Sequence, residues 1–288
     1  EPGYTKYDYG NYRHYLGSAL QVGNIYPQMY TRMFYEGLKG EGYSEIVNLV
    51  RCAWAGSQRY GALVWSGDIP STWESLRRQI CAGMNIGMAG IPWWTTDIGG
   101  FSGGDIHDPE FKKLLLRWFQ WGTFCPVMRL HGARIPKTDH YNSLGKPILD
   151  EGAPNEVWSY GPELEALFTR FIRIREIIRP YVRSLMQAAH ETGEPLLRPM
   201  FYDFPKEKEV WELKDQYMFG PDLLVAPVLE PDAVSRQVYL PEGSWANLFT
   251  GEIQAGGKYV AVPTPWETIP VFLRNGNHSE WIEDIKNL

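Results

Sequence analysis

Three stretches of this chain are built to one plan, and that repetition restricts the fold more than any other feature. Residues 60–65 run into Ser66-Gly67-Asp68, Ile91-Pro92-Trp93-Trp94 runs into Thr95-Thr96-Asp97-Ile98-Gly99-Gly100-Phe101, and Pro126-Val127-Met128 runs into Arg129-Leu130-His131-Gly132. Each has an apolar run ending in a polar residue, then glycine, then a helix-like segment. That is the rhythm of a parallel β/α repeat, in which the residues available for chemistry collect at the C-terminal ends of the strands.

The segments between these runs read as helices with identifiable ends. Over residues 25–38, Tyr26, Met29, Tyr30, Met33, Phe34 and Gly37 recur at spacings of three and four, which predicts an amphipathic helix ending near Gly40. Residues 46–53 form an apolar segment leading into Arg51, and residues 60–65 a short buried strand. Ser71-x-x-Glu74 spells a capping box ahead of Leu76, Ile80 and Met84, and a strand is expected over residues 88–94. Asp108-Pro109-Glu110 supplies a cap, a first-turn proline and a first-turn acid before Phe111, Leu114, Leu115, Trp118 and Phe119, and the next strand ends at Arg129. A polar loop over residues 133–154 precedes a long helix over residues 162–192, stopped by Gly193 and interrupted by Pro180, where a kink is expected. The Gly- and Tyr-rich residues 1–15 read as a loop.

Beyond Met200 the period changes from helical to alternating. Residues 223–228, 237–240, 245–249, 259–262 and 269–273 are short strands separated by Pro-Glu-Gly, Thr-Gly and Gly-Gly turns. The expectation is an α/β chain in which residues 1–200 form the C-terminal part of a (β/α)8 TIM barrel and residues 201–288 a small all-β sandwich domain.

Composition narrows the function. A formal net charge of −6 with scattered Lys and Arg argues against nucleic acid or an anionic membrane surface as the main partner. No run of 18 apolar residues is present to span a bilayer. Cys52, Cys81 and Cys125 sit in apolar segments without C-x-x-C spacing and read as buried thiols. The aromatic fraction of 14% suits stacking on sugar rings as well as ordinary core packing.

Arg51 and Asp68 flank a stretch containing Trp54 and Trp65. A sugar site needs that combination: charge to grip hydroxyls, a carboxyl to move a proton, and an aromatic face for the C–H surface. Each residue also has a plainer reading. Asp68 could serve the N-terminus of the following helix, Asp97 could be a turn residue before two glycines, and a lone His131 is ordinarily a satisfied side chain. No other His or Cys stands at ligand spacing around His131, so no metal is expected. Ser102-Gly103-Gly104-Asp105 lacks the Gly-Lys-Ser/Thr ending of a phosphate cradle, and Asn277-His278-Ser279 is a glycosylation sequon by spelling only.

Taken in order and with their separations, Trp65-Ser66-Gly67-Asp68, Thr95-Thr96-Asp97-Ile98-Gly99-Gly100-Phe101 and Arg129-Leu130-His131-Gly132 resemble glycoside hydrolase family 31, the α-glucosidases, α-xylosidases and relatives. The resemblance extends to Gly220-Pro221-Asp222-Leu223-Leu224-Val225-Ala226-Pro227-Val228 and to Tyr239-Leu240-Pro241-Glu242-Gly243-Ser244-Trp245, which are similar to phrases of the β-sandwich that follows the family's barrel. It implies a retaining exo-α-glycosidase that removes terminal non-reducing α-linked xylose or glucose from oligosaccharides, with no metal or organic cofactor. In such a reaction one carboxylate attacks the anomeric carbon, while a second protonates the leaving oxygen and later deprotonates water.

By the same resemblance Asp68 is the acid/base. Arg51, Asp97 and His131 hold sugar hydroxyls, Trp65 and Phe101 wall the subsite, and Arg129 supports it. An acid that is protonated at rest is helped by dry surroundings, which Leu63, Val64 and Trp65 are expected to give Asp68. The spellings around Trp65 and Asp97 lean toward bacterial α-xylosidases. The sequence departs from the family at the nucleophile, which lies in a W-x-D-x-x-E-P phrase. Glu1-Pro2 reads as the tail of that phrase, which places the nucleophile upstream of Glu1 and makes the other half of the barrel, on the same or a separate polypeptide, a necessary partner. Two alternatives use the same residues: a non-catalytic sugar-binding fragment, and a transglycosylase or lyase that differs in what resolves the intermediate.

Overall fold

A computed structural model describes residues 11–136, 144–146 and 152–288. Glu1-Pro2, the tyrosines before residue 11 and most of the polar loop expected over residues 133–154 lie outside the described residues. The chain divides into two compact units, Glu1–Trp65 and Ser66–Leu288.

In the first unit the described end of the Tyr-rich loop expected over residues 1–15 holds β1 (Arg13–His14), which forms a small antiparallel ladder with β2 (Gly17–Ser18), followed by the single turn α1 (Ala19–Val22). Helix α2 (Tyr26–Gly40) forms where the periodicity places it, with Pro27 in its first turn. Its apolar stripe is not covered: Tyr26, Met29, Tyr30, Met33 and Phe34 are all exposed. Strand β3 (Asn48–Val50) pairs in parallel with β4 (Ala62–Trp65), matching Asn48 with Ala62 and Val50 with Val64. The connection is short because Gly56 and Gly61 adopt positive φ, and Gly61 could not carry a side chain, since a Cβ there would lie 2.4 Å from the Ile46 carbonyl oxygen. Cys52 is exposed, contrary to the expectation of three buried thiols, because it lies beyond the end of β3 in an irregular segment; Cys125 is buried as expected and Cys81 is half-buried.

The second unit opens on α3 (Trp73–Met88). Its cap is Thr72, one residue later than the expected Ser71: the Thr72 hydroxyl accepts from the Ser75 amide at 3.1 Å and hydrogen-bonds the Ser75 hydroxyl at 3.0 Å. The helix runs on to Met88, so the strand expected over residues 88–94 shrinks to β5 (Trp94–Thr95). β6 (Gly104–Asp105) precedes α4 (Pro109–Thr123), whose Asp108 side chain accepts from the Glu110 amide at 2.9 Å as its spelling predicts. The strand expected to end at Arg129 is reduced to a parallel bridge between Thr95 and Val127, and β7 (Arg134–Ile135) lies in parallel on β6.

Helix α4 is buried on every side from Leu114 to Thr123, so beyond its first turn it is interior rather than amphipathic. Its close contacts are made at glycine: a Cβ on Gly122 would sit 2.6 Å from Ile98 Cδ1. Helix α5 (Pro162–Thr192) starts after Gly161, continues through Pro180, and ends at Gly193, whose φ of 78° gives the left-handed cap expected there. Arg175 of α5 donates to the carbonyls of Thr123 and Cys125 at 2.7 Å and of Pro126 at 2.8 Å, binding a cation to the C-terminal end of α4.

From residue 197 the chain is dominated by antiparallel strands. β8 (Leu197–Pro199), the short helix α6 (Met200–Asp203), β9 (Tyr217–Phe219), β10 (Leu223–Val225), β11 (Ser235–Leu240), β12 (Ser244–Asn247), β13 (Ile253–Ala255), β14 (Lys258–Pro263) and β15 (Val271–Arg274) precede a terminal helix α7 (Glu280–Lys286). They form a sheet ordered β13-β12-β15-β10-β9-β8 and a separate pair β11-β14. Met218, Leu224, Trp245 and Phe272 from the first sheet meet Val238, Leu240 and Val262 from the pair in one buried cluster, which is a sandwich core. The sandwich is tied to α4 by Arg117, whose buried guanidinium donates to the carbonyls of Thr264 (2.5 Å), Pro265 (3.0 Å) and Thr268 (3.2 Å), and by the Gln120 amide, which donates to Trp266 O at 2.6 Å.

Candidate active site

Three loops of the second unit are laced together by backbone hydrogen bonds. The Ile69 carbonyl accepts from the amides of Phe101 (2.8 Å) and Ser102 (3.2 Å), and the Ser71 amide donates to Ser102 O at 2.8 Å. The Ile98 amide donates to Arg129 O at 3.2 Å, and the Ala133 amide to Phe101 O at 2.7 Å. Residues 66–72, 95–102 and 127–133 are therefore neighbours, and with them come Asp68, Asp97, Phe101, Arg129 and His131. The glycines among them work in the same direction: Gly99 and Gly100 have φ of 88° and 78°, and a Cβ on Gly100 would strike Ser71 Cα at 2.7 Å.

Asp97 is fully buried. Its amide donates to the Ser66 hydroxyl at 3.2 Å, and Arg129 Nη1 donates to its Oδ1. Its Oδ2 is buried without a hydrogen-bond partner among the described residues. Burial outweighs the attraction of Arg129 and Arg134, with a small further push from the Asp68 charge, and raises the Asp97 carboxyl from 3.8 to about 6. His131 is driven the other way. Partial burial, then the positive charges of Arg129 and Arg134, lower its imidazole from 6.5 against the pull of Asp68, so it is neutral at pH 7. The His131 ring lies 5.7 Å from the Phe101 ring, a tilted contact that gives the cluster an aromatic side.

Asp68 stands in the turn after Gly67, whose φ is 77°, and it is solvent-exposed. The dry surroundings expected from Leu63, Val64 and Trp65 do not extend to it, because β4 buries Ala62 and Val64 while its last residue is only half-buried and Asp68 lies three positions further on. Burial acts on Asp97 instead. Arg51 and Trp65 meet each other in the first unit, with the guanidinium 5.9 Å from the indole centroid, close enough for a cation–π contact. Among the described residues no three His, Cys, Asp or Glu side chains converge on one point as metal ligands would, and no helix is long and apolar enough to cross a membrane.

Arg134, Asn155 and Tyr160 escaped the sequence reading. Arg134 is completely buried and donates to the Gly100 and Ile98 carbonyls of the loop that carries Asp97, while Asn155, which accepts from Arg134 and from the Tyr160 hydroxyl, donates to Gly132 O beside His131. The available signal was the pair of glycines before Phe101 and the one after His131, which read as turns but also leave space that a large side chain can fill.

A family model described as the glycosyl hydrolases family 31 TIM-barrel domain matches residues 2–185, and one for the glycosyl hydrolase family 31 C-terminal domain matches residues 193–277. An alpha-xylosidase of Saccharolobus solfataricus is 37% identical over 262 residues, covering 91% of this chain and 33% of that protein. Alpha-xylosidase A of Aspergillus niger is 35% identical over 291 residues, covering 91% of this chain and 38% of that protein. The crystal structure of a GH31 alpha-xylosidase from a soil metagenome, complexed with xylose, superposes with a TM-score of 0.90 at 57% identity, over 97% of this chain and 42% of that one. The chain thus spans about a third of the length of these curated relatives. With both domain models matched in order and the three motif loops gathered as described, the chain belongs to glycoside hydrolase family 31.

Proposed function

We propose that this chain carries the acid/base and sugar-gripping side of a retaining exo-α-glycosidase that removes a terminal α-linked xylose or glucose from an oligosaccharide. The observation that carries the reading is the buried Asp97 carboxylate, paired through one oxygen to Arg129, with its other oxygen buried and unpaired among the described residues. A buried acceptor of that kind is costly unless something donates to it, and a sugar hydroxyl can. Asp68 serves as the acid/base from an exposed position that a leaving-group oxygen can reach. Neutral His131 offers a hydrogen bond to a second hydroxyl, and Phe101 faces the C–H surface of the ring. No metal or organic cofactor enters the chemistry.

The nucleophilic carboxylate and the complementary barrel strands are supplied by residues outside this sequence, on the same or a separate polypeptide. Support comes from β3 and α2: Val47, Leu49, Tyr30 and Phe34 are exposed around a cavity of about 220 Å³ beside β3, an apolar face suited to a further strand and helix. The same reading places the barrel before residue 200 and the sandwich after it. Xylose is favoured over glucose by the names of the relatives above.

The test is Asp68→Ala in the natural-length protein. Loss of a general acid falls hardest on substrates with poor leaving groups, so activity on an alkyl α-xyloside is expected to drop by about 100-fold or more while a nitrophenyl α-xyloside is spared most of that loss. A protein that binds xylose, turns over neither substrate, and keeps its affinity in the variant is a sugar-binding module, and the reading fails. Transfer of xylose to an added sugar in preference to water would identify a transglycosylase with the same residues.

A further inference from the structure

Arg134 is a buried, multiply bonded side chain that stands among the motif loops of the second unit and that the proposed chemistry does not use. It leaves β7 and is fully buried. Its Nη2 donates to Ile98 O at 2.9 Å, its Nη1 to Gly100 O at 2.9 Å and to Ser71 Oγ at 3.4 Å, and its Nε to Asn155 Oδ1 at 3.1 Å. Asn155 in turn donates from Nδ2 to Gly132 O at 3.4 Å and accepts from the Tyr160 hydroxyl at 2.5 Å. The guanidinium lies 5.0 Å from the centre of the Phe111 ring.

The glycines of the motif loops are fitted to this group. A Cβ on Gly99 would lie 2.9 Å from Arg134 Nη2, and one on Gly132 would lie 2.7 Å from Nη1 and 2.7 Å from Gly100 O. The two glycines that follow Asp97 and His131 thus leave room for one guanidinium between the loops. A buried cation bonded to neutral acceptors is an expensive way to fill space, because a well-packed apolar side chain of similar volume does so without desolvating a charge. What the planar fork adds is fixed direction, with several donors aimed at separate segments.

Resting on the functional reading above, we infer that Arg134 is a positioning residue: its guanidinium fixes the Asp97 loop and Ser71 directly, and the His131 loop through Asn155, in one register, and so sets where a sugar gripped by Asp97 and His131 lies against Asp68. Its positive charge also helps keep Asp97 from rising further and His131 neutral, as Arg129 does. Asp97 and His131 each lie within the field of Arg129, Arg134 and Asp68, so the charge effect is shared, whereas Arg129 bonds Asp97 itself and Arg134 bonds the Ile98 and Gly100 carbonyls, Ser71 and Asn155 together.

The experiment compares Arg134→Lys and Tyr160→Phe with the natural-length wild-type protein on an alkyl and a nitrophenyl α-xyloside. Lys keeps the charge and loses the fork. Misplacement of the sugar against the acid is expected to lower kcat on the alkyl substrate by about 100-fold, with a loss at least about tenfold smaller on the nitrophenyl one, since that leaving group needs little protonation. Tyr160→Phe, which removes one hydroxyl behind Asn155, is expected to give the same asymmetry at about threefold and serves if the lysine variant does not fold. A structural role alone lowers the folded fraction and cuts both activities equally; equal losses, or none, overturn the inference while leaving the functional reading intact. Wild-type protein inactive on both substrates overturns the functional reading, and the inference with it.

Discussion

Asp97 sets two electrostatic effects against each other, and the balance can be measured. Burial, with a smaller push from the Asp68 charge, raises its carboxyl, the Arg129 and Arg134 guanidiniums lower it, and the net is a rise from 3.8 to about 6. A carboxyl whose pKa is raised on folding binds its proton more tightly in the folded state. Its contribution to stability is therefore intact below about pH 3.8 and is lost as pH climbs through about 6. Two pKa units correspond to about 3 kcal/mol, of which about 2 kcal/mol falls between about pH 4.5 and 7.5. Asp97→Asn deletes the titration and nearly preserves the shape. Urea unfolding of both proteins across that range should show the variant gaining on the wild type by about 2 kcal/mol as pH rises. If the variant instead loses ground with rising pH, the ion pair with Arg129 dominates over desolvation and the reasoning is refuted. A difference that does not change with pH refutes it as well.

Two further results follow from named contacts. Arg117→Met removes the donor to the Thr264, Pro265 and Thr268 carbonyls, leaving buried acceptors unpaired between α4 and the sandwich, and should cost on the order of 3 kcal/mol in a urea titration. NMR titration of His131 should give a midpoint below 6.5, because burial and the neighbouring arginines lower it, and Arg134→Gln should move that midpoint upward.

The fold was most legible where a helix end is spelled by local chemistry. Asp108-Pro109-Glu110 and the Gly193 stop are found where the spelling puts them, since the side chain or the missing Cβ does its work within one turn. The Ser71/Thr72 slip shows the limit: adjacent hydroxyls compete, and the one that reaches the Ser75 amide wins. Strands were harder to place. β8 contains Pro199 and is held by β9 beyond an intervening helix, and β13 is a three-residue edge strand that shows Ile253 to solvent, so neither carries a strong alternating pattern. Helix α7 was missed although Trp281, Ile282 and Ile285 are buried at helical spacing, because it is only 7 residues long. At the site, the loops bearing Asp68, Asp97 and His131 announce themselves by following apolar runs. Arg134 does not, since a lone arginine in a polar loop looks solvated until the carbonyls it bonds are known.

That Asp68, Asp97 and His131 serve a retaining cleavage of an α-linked sugar is tested by proton NMR of the natural-length protein acting on a nitrophenyl α-xyloside. The two displacements of a retaining mechanism give α-xylose as the first product, with the β anomer growing in only by mutarotation. Appearance of β-xylose first, or release of no xylose at all, would contradict it.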